Sequence, residues 1–368
     1  MLASRFLPIS DSLKGIARPT LQGLRALPVH STQILQSGRG PLAVFLPARG
    51  PNGASLLRIY AIARQLRAHG WRTLVLPWRL TLAQRRRFIA RSAPDILVMQ
   101  TARHALNDPA LYSGCPVFYD MDDADFHLPH LADQVRAAMP RVTAVIAGSR
   151  YIADWARAAG APAAHVVWTG TPVLGRARPG QADRPTVIAW AQTRPMDYRR
   201  EGDRVRALVT RLAGARAGLT LRLYDRQPGD DPAYAQSFAA PGLTVEWRVA
   251  CRYRDYLASF DDVALGLAPL APETPFSRGK SFGKVLAYLD ARVPVIASAA
   301  GEHGRFFTAE TGVVSNAAKV WETAALDLLA DATGRQAMAD AAYEQYRARL
   351  SIKAAAARLD DVLGRYLA

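Results

Sequence analysis

From Leu42 onward, short apolar runs alternate with stretches of helical spacing. "LAVFLP" is followed by the Gly-containing loop "ARGPNGAS" and then by "LLRIYAIARQLRAHG", whose apolar residues recur at three- and four-residue intervals until Gly70 stops them. Strand, loop, helix is the reading. "WRTLVLP", "DILVMQ", "PVFYD", "TAVIAGS" and "HVVWTG" repeat the strand signal, with "SRYIADWARAAG" as the helix after the fifth. A Pro/Gly-rich stretch over 171–185, "TPVLGRARPGQADRP", then breaks the alternation as an interdomain linker does. Beyond it "TVIAW", "LTLRLYD", "LTVEWRV", "DVALGLAPL", "VPVIAS" and "TGVVS" predict a second set of strands, with helices centred near 205, 255, 286 and 325.

Unbroken apolar strands separated by helices predict parallel sheets covered on both faces. The expected fold class is α/β, two tandem Rossmann-like domains over 42–178 and 183–350 with a cleft between them. The last segment, "SIKAAAARLDDVLGRYLA" (351–368), predicts an amphipathic helix with Ser351 as its N-cap. Residues 1–41 carry five basic groups against Asp11 and are punctuated by Pro8, Pro19, Pro28 and Pro41, which suits a basic extension rather than a core.

Composition narrows the function classes. No apolar run reaches the roughly eighteen residues of a membrane span, and no compact apolar core with a small-residue cleavage site marks a secretory signal, so the expected location is cytoplasmic. Cys115 and Cys251 lie far apart without ligand spacing, which argues against disulfides and zinc and reads as two buried thiols. The net charge of +16 calls for an acidic partner. Nucleic acid is disfavoured, since no recognition helix or aromatic sheet motif accompanies the charge. "WRLTLAQRRRFIARS" gathers Arg79, Arg85, Arg86, Arg87 and Arg91 beside Trp78, Phe88 and Ile89, a mixture that suits either a peripheral contact with an anionic membrane or a solvated helix face.

Candidate chemistry concentrates in "TPFSRGKSFGKVLAYLDARVPVIA" (274–297). Five of the 47 basic residues are lysines, and Lys280 and Lys284 stand together in this turn. Gly279, Lys280, Ser281, Gly283 and Lys284 read as a turn opening a helix, where free amides and two cations would attract a phosphate. It is not a Walker loop, because Thr274 stands where glycine is needed, and no Gly-x-Gly fingerprint for a dinucleotide follows the first strand. In the first half, "YDMDDADFH" follows a strand and so faces the cleft; Asp122, Asp123 and His127 are candidates to orient or deprotonate an acceptor hydroxyl, against the alternative of a structural cluster.

The segment "APETPFSRGKSFGKVLAYLDARVPVIAS", with "YRDYLASFDDVALGLAPL" before it and "GEHGRFFTAETGVV" after it, resembles the donor-binding half of a GT-B glycosyltransferase of the retaining, family 4 type. "GPNGASLLRIYAIARQLRAHGW", "PVFYDMDDADF" and "AVIAGSRYIADWARAAG" are similar to the acceptor half. The resemblance implies a metal-independent hexosyltransferase-like enzyme without a cofactor. It would move a sugar from a nucleotide sugar to a glycan or glycolipid, and its last helix would cross back to the first domain. It further implies that Arg194 and Arg200 hold the diphosphate, that Gly53 lets the backbone approach it, and that Glu302 meets the sugar. One departure stands out: the family's two donor glutamates fall on Gly279 and Ala287. Losing a charged acceptor to a ribose hydroxyl removes roughly 1.5 to 3 kcal/mol unless Glu273 or Asp290 compensates, and it leaves a non-catalytic binding subunit as the alternative.

Overall fold

The computed structural model describes residues 39–225, 232–249 and 251–367, so the segment 1–38 lies outside the described residues. Every one of the apolar runs forms a strand. β1 (Leu42–Leu46), β2 (Arg72–Val75), β3 (Ile96–Gln100), β4 (Val117–Met121), β5 (Ala144–Ala147) and β6 (Ala164–Val166) make a six-stranded parallel sheet in the order β2-β1-β3-β4-β5-β6. β7 (Val187–Trp190), β8 (Leu219–Asp225), β9 (Leu243–Val249), β10 (Leu265–Ala268), β11 (Val295–Ala297) and β12 (Val313–Val314) make a second, in the order β12-β11-β10-β7-β8-β9. Every residue of β1, β3, β4, β5, β7, β10 and β11 is buried, which is why these strands read as continuous apolar runs. The strand order reverses between β1 and β3, and again between β7 and β10. A doubly wound sheet leaves a crevice at the carboxyl ends of such a pair.

The chain returns to its first half at the end. The helix Ile352–Gly364 buries Ala355, Ala356, Leu359, Val362 and Leu363 against Ile59, Ile62, Leu66 and Phe118. Ser351 Oγ caps it by accepting from the Ala354 amide at 3.2 Å, and the Trp71 indole donates to Asp360 at 2.7 Å. Gly170 makes the crossing possible, because a Cβ there would lie 2.6 Å from the Ser351 carbonyl oxygen.

The linker is fastened to the second half by polar groups. Asp290, 2 % exposed, accepts from the Leu174 amide at 3.0 Å and pairs with Arg178. Arg184 donates to the carbonyls of Val263 and Ala291 at 2.8 and 2.9 Å. Beneath the crevice of the second sheet, the buried Tyr288 hydroxyl accepts from the Ala191 amide at 2.7 Å and lies 2.9 and 3.1 Å from the Ala189 and Leu267 carbonyls. Its ring lies so close to β10 that only Gly266 fits there, since a Cβ would approach it to 2.7 Å. Of the two cysteines, Cys115 is half-buried and Cys251 is exposed. The expectation of two buried thiols therefore holds at neither, least of all at Cys251, which precedes the helix Tyr253–Ala258 at the surface.

Two stability outcomes follow from these contacts. Tyr288→Phe leaves the Ala191 amide without its acceptor and should cost about 1–3 kcal/mol in urea unfolding. His303 is buried, with Nδ1 donating to the Ser298 carbonyl, and burial pulls its imidazole down to about 4. The unfolded chain takes up this proton near pH 6.5 while the folded one refuses it until about pH 4, so the contribution is complete above 6.5 and is lost as pH falls through that window. The loss should reach about 3 kcal/mol, and His303→Gln should flatten that part of the pH–stability curve.

Candidate functional site

The loops at the carboxyl ends of the two sheets meet. In the first half, a π-helical turn over Leu56–Ala61 interrupts the helical stretch 53–66 and carries Arg58, 5 % exposed, to Asp120 at the end of β4. The guanidinium contacts both carboxylate oxygens at 2.6–3.0 Å and donates to the Val167 carbonyl and Thr169 hydroxyl. Asp122 accepts from Thr169 Oγ1 at 2.5 Å and sits against Gly148, where a Cβ would come within 2.6 Å of its oxygen. Asp125 is buried and accepts from Thr101 and Arg103. "YDMDDADFH" is thus a row of carboxylates held by two arginines, Arg58 at Asp120 and Asp122 and Arg103 at Asp123 and Asp125.

Asp123 faces the second half. Lys280 Nζ lies 2.6 Å from its Oδ1, and Arg103 donates to its Oδ2 at 2.8 Å. Burial alone would raise the Asp123 carboxyl, but the charges of Lys280 and Arg103 outweigh it and hold the group well below the usual carboxylate range. Burial likewise lowers the Lys280 ammonium, and Asp123 overturns that shift to raise it. The backbones are close here as well: a Cβ on Gly279 would lie 2.6 Å from the Ala124 Cβ. A second ionic contact spans the cleft at Glu302, which is 2 % exposed. It accepts from the Arg150 amide at 2.8 Å, from the Arg150 guanidinium at 2.5 Å and from the Trp168 indole at 3.0 Å. Apolar contact fills in between, with the Trp168 and Phe282 rings edge-on at 5.0 Å.

The structure brings Asp123, Gly279, Lys280 and Glu302 together at the cleft. Ser281 and Lys284 lie in the following turns, Ser281 buried and Lys284 half-buried. The helix expected to open at this turn begins only at Leu286 and ends at Asp290. The amides of Val285 and Leu286 already bond the Phe282 carbonyl, and Ser281 Oγ takes the Phe282 amide rather than capping the helix. Arg194 and Arg200 are exposed in the segment after β7, Arg194 paired with Asp197 at 3.1 Å and Arg200 3.7 Å from Glu273, and Tyr198 between them lies with its ring 5.8 Å from Lys280 Nζ. Gly53 begins the 53–66 helix with φ of +51°, an angle that favours glycine, and open space surrounds the place of a Cβ. Ala287 is 1 % exposed within the apolar cluster that also contains Leu57 of the first half. Asp290 is committed to the linker and does not stand in for the missing glutamate.

His127 is exposed, with Nε2 2.8 Å from the Tyr151 hydroxyl; partial burial and then the Arg278 charge lower its imidazole. Three participants were not picked out from the sequence, Arg103, Arg150 and Glu201. The last, buried, accepts from the Ala271 amide and Ser277 Oγ, both at 3.0 Å, and so holds the segment leading to Lys280. The arginine cluster needs a correction. Arg85 is fully buried and donates to Asn107 Oδ1 and the Trp78 carbonyl, both at 2.8 Å, leaving Arg79, Arg86, Arg87 and Arg91 on the surface. Among the described residues no group of three His, Cys, Asp or Glu side chains is arranged to hold a metal ion, and no helix is long and apolar enough to cross a membrane.

No family model and no curated protein sequence matches the chain. Solved structures do resemble it. Sucrose-phosphate synthase from Thermosynechococcus elongatus superposes with a TM-score of 0.65 at 14% identity, over 89% of this chain and 99% of that one. Anabaena HepE, solved in complex with UDP and glucose, gives 0.62 at 14% identity over 89% and 100% of the two chains. A UDP-N-acetylglucosamine 2-epimerase-like protein from Listeria monocytogenes gives 0.52 at 13% identity over 87% and 94%. The two parallel sheets and the cleft between them are the GT-B fold of the glycosyltransferases among these structures.

Proposed function

We propose that the chain is a glycosyltransferase that moves a sugar from a nucleotide sugar to a hydroxyl acceptor of a glycan precursor or glycolipid. The observation that carries this reading is Lys280, a half-buried ammonium placed where the carboxyl ends of the two sheets meet. Breaking a glycosidic bond to a diphosphate builds negative charge on the leaving group, and a partly desolvated cation stabilises that charge without a metal ion. The UDP and glucose seen with HepE support a nucleotide sugar as the ligand of this fold. On the acceptor side, His127 is the open member of the three candidates. Its lowered pKa keeps the imidazole neutral at neutral pH, in the form that accepts a proton. Retention of anomeric configuration belongs to the same reading.

Calorimetry with UDP, GDP, dTDP and ADP species should show binding of at least one, weakened at least tenfold by Lys280→Met. With the matching donor and an acceptor, turnover should follow. His127→Gln should lower it, and proton NMR of the product should show the donor's anomeric configuration. Binding of no nucleotide overturns the proposal. Binding without turnover assigns the chain to the non-catalytic alternative, and conversion of the donor sugar without any acceptor makes it an epimerase instead.

The acceptor's place is the second part of the reading, a peripheral site on the cytoplasmic face of an anionic membrane. The helix Leu82–Ser92 presents Arg86, Arg87 and Arg91 to solvent beside the half-buried Phe88, and Arg79 stacks over Trp78 at 4.9 Å. At about 1 kcal/mol for each arginine near an anionic surface, attachment should be weak and salt-sensitive. Replacing Arg86, Arg87 and Arg91 with Ser should abolish sedimentation with anionic liposomes, and equal sedimentation with neutral liposomes at low salt would point to a soluble acceptor.

A further inference from the structure

The cation that carries the donor reading is already occupied. Each oxygen of the Asp123 carboxylate takes one cation: Oδ1 lies 2.6 Å from Lys280 Nζ of the second half, and Oδ2 accepts from Arg103 of the first at 2.8 Å. A carboxylate bridging two cations through separate oxygens has the bonding pattern of a phosphate group between the same cations. One side of the pair is walled in, where Gly279 touches Ala124 and the short helix Pro275–Arg278 packs against the loop of Asp125–His127, while Arg103 stays open to solvent on the other. Nor does the contact leave the cations half-satisfied. Lys280 also lies over the Phe276 ring at 4.4 Å, and Arg103 keeps Asp125 as a further partner. An anion that takes both cations therefore competes with Asp123 for them.

We propose that Asp123 is the internal occupant of an anion seat formed by Lys280 and Arg103, and that the diphosphate of a nucleotide binds by displacing the Asp123 carboxylate from both cations. The inference rests on the reading of the cleft as the donor site and adds two things to it: Arg103 as a donor-binding residue supplied by the first half, and Asp123 as the group that competes with the donor. The exchange is electrostatically balanced. The diphosphate brings at least the charge that Asp123 withdraws, so Lys280 is not left unpaired. Asp123 moves by side-chain rotation, since its carbonyl stays bonded to the Asp125 amide at 2.9 Å.

Asp123→Asn, nearly identical in shape, removes the competing charge. Calorimetry with UDP and with inorganic diphosphate should show about tenfold tighter binding by this variant than by the unaltered protein. The gain should disappear in Asp123→Asn combined with Lys280→Met, and Arg103→Gln should weaken UDP binding. Thermal melting identifies any variant that has lost its fold, and for such a variant Arg103→Lys, which keeps the charge, is read against Arg103→Gln. If the unaltered protein binds UDP and Asp123→Asn binds it no more tightly, the inference fails while the donor reading survives. If neither protein binds diphosphate or any of the UDP, GDP, dTDP and ADP species, both fail. A gain that persists without Lys280 overturns the proposed seat.

Discussion

A parallel strand cannot be joined to its neighbour by a tight turn, so each connection must cross the sheet, and the crossing helices cover both faces. That constraint determines where this molecule can do chemistry. With the faces closed, the exposed loops collect at the carboxyl ends of the strands. Here the loops after β4, β5 and β6 meet those after β10 and β11 through Asp123, Arg150 and Trp168 on one side and Lys280 and Glu302 on the other. The linker and the last helix hold the sheets in this relation. Asp290 and Arg184 anchor the linker to the second half, while the helix Ile352–Gly364 completes the core of the first.

Charge in this cleft is organised by pairing rather than by excess. A chain with net charge of +16 places its cleft cations against named acceptors: the buried Arg58 against Asp120, the half-buried Lys280 and the more open Arg103 against Asp123, and Arg150 against the buried Glu302. Removing Arg58 or Asp120, both buried, strands the other in a poorly solvated place, which is far more costly than deleting an exposed ion pair. The same logic makes the cleft responsive, because an anion that restores the pairing can enter where a neutral ligand cannot.

The strands were legible because burial on both faces leaves an unmistakable apolar run, as in "LAVFLP" and "DILVMQ". Lys280 was legible because lysine is scarce in this chain. Its partner was not, since Asp123 and Lys280 are 157 residues apart and nothing local joins them. Arg150 and Glu302, 152 residues apart, were hidden for the same reason, and Arg103 was lost among many arginines. Arg85 did carry a signal. It lies four residues before Ile89 on one helical face, and both are buried, but a guanidinium at such a position reads as solvated until Asn107 and the Trp78 carbonyl are placed beside it. The helix after Lys280 is short, Leu286–Asp290, because the backbone before it closes in turns on the Phe282 carbonyl, which local spacing does not reveal.

The missing donor glutamates take their meaning from these contacts. Ala287 is sealed in an apolar cluster, and the carboxylate nearest to it on the same helix, Asp290, is turned to the linker, where it accepts from Leu174 and pairs with Arg178. An acid in the place of Ala287 would have to be buried beside Leu57 and Phe282, or it would have to draw the halves apart to reach a ligand. This chain has instead made that part of the cleft apolar and kept its polar contacts at Asp123 and Glu302. On the proposed donor reading, Lys280 offers its charge to the diphosphate while the buried Ala287 offers the ribose no side-chain hydrogen bond.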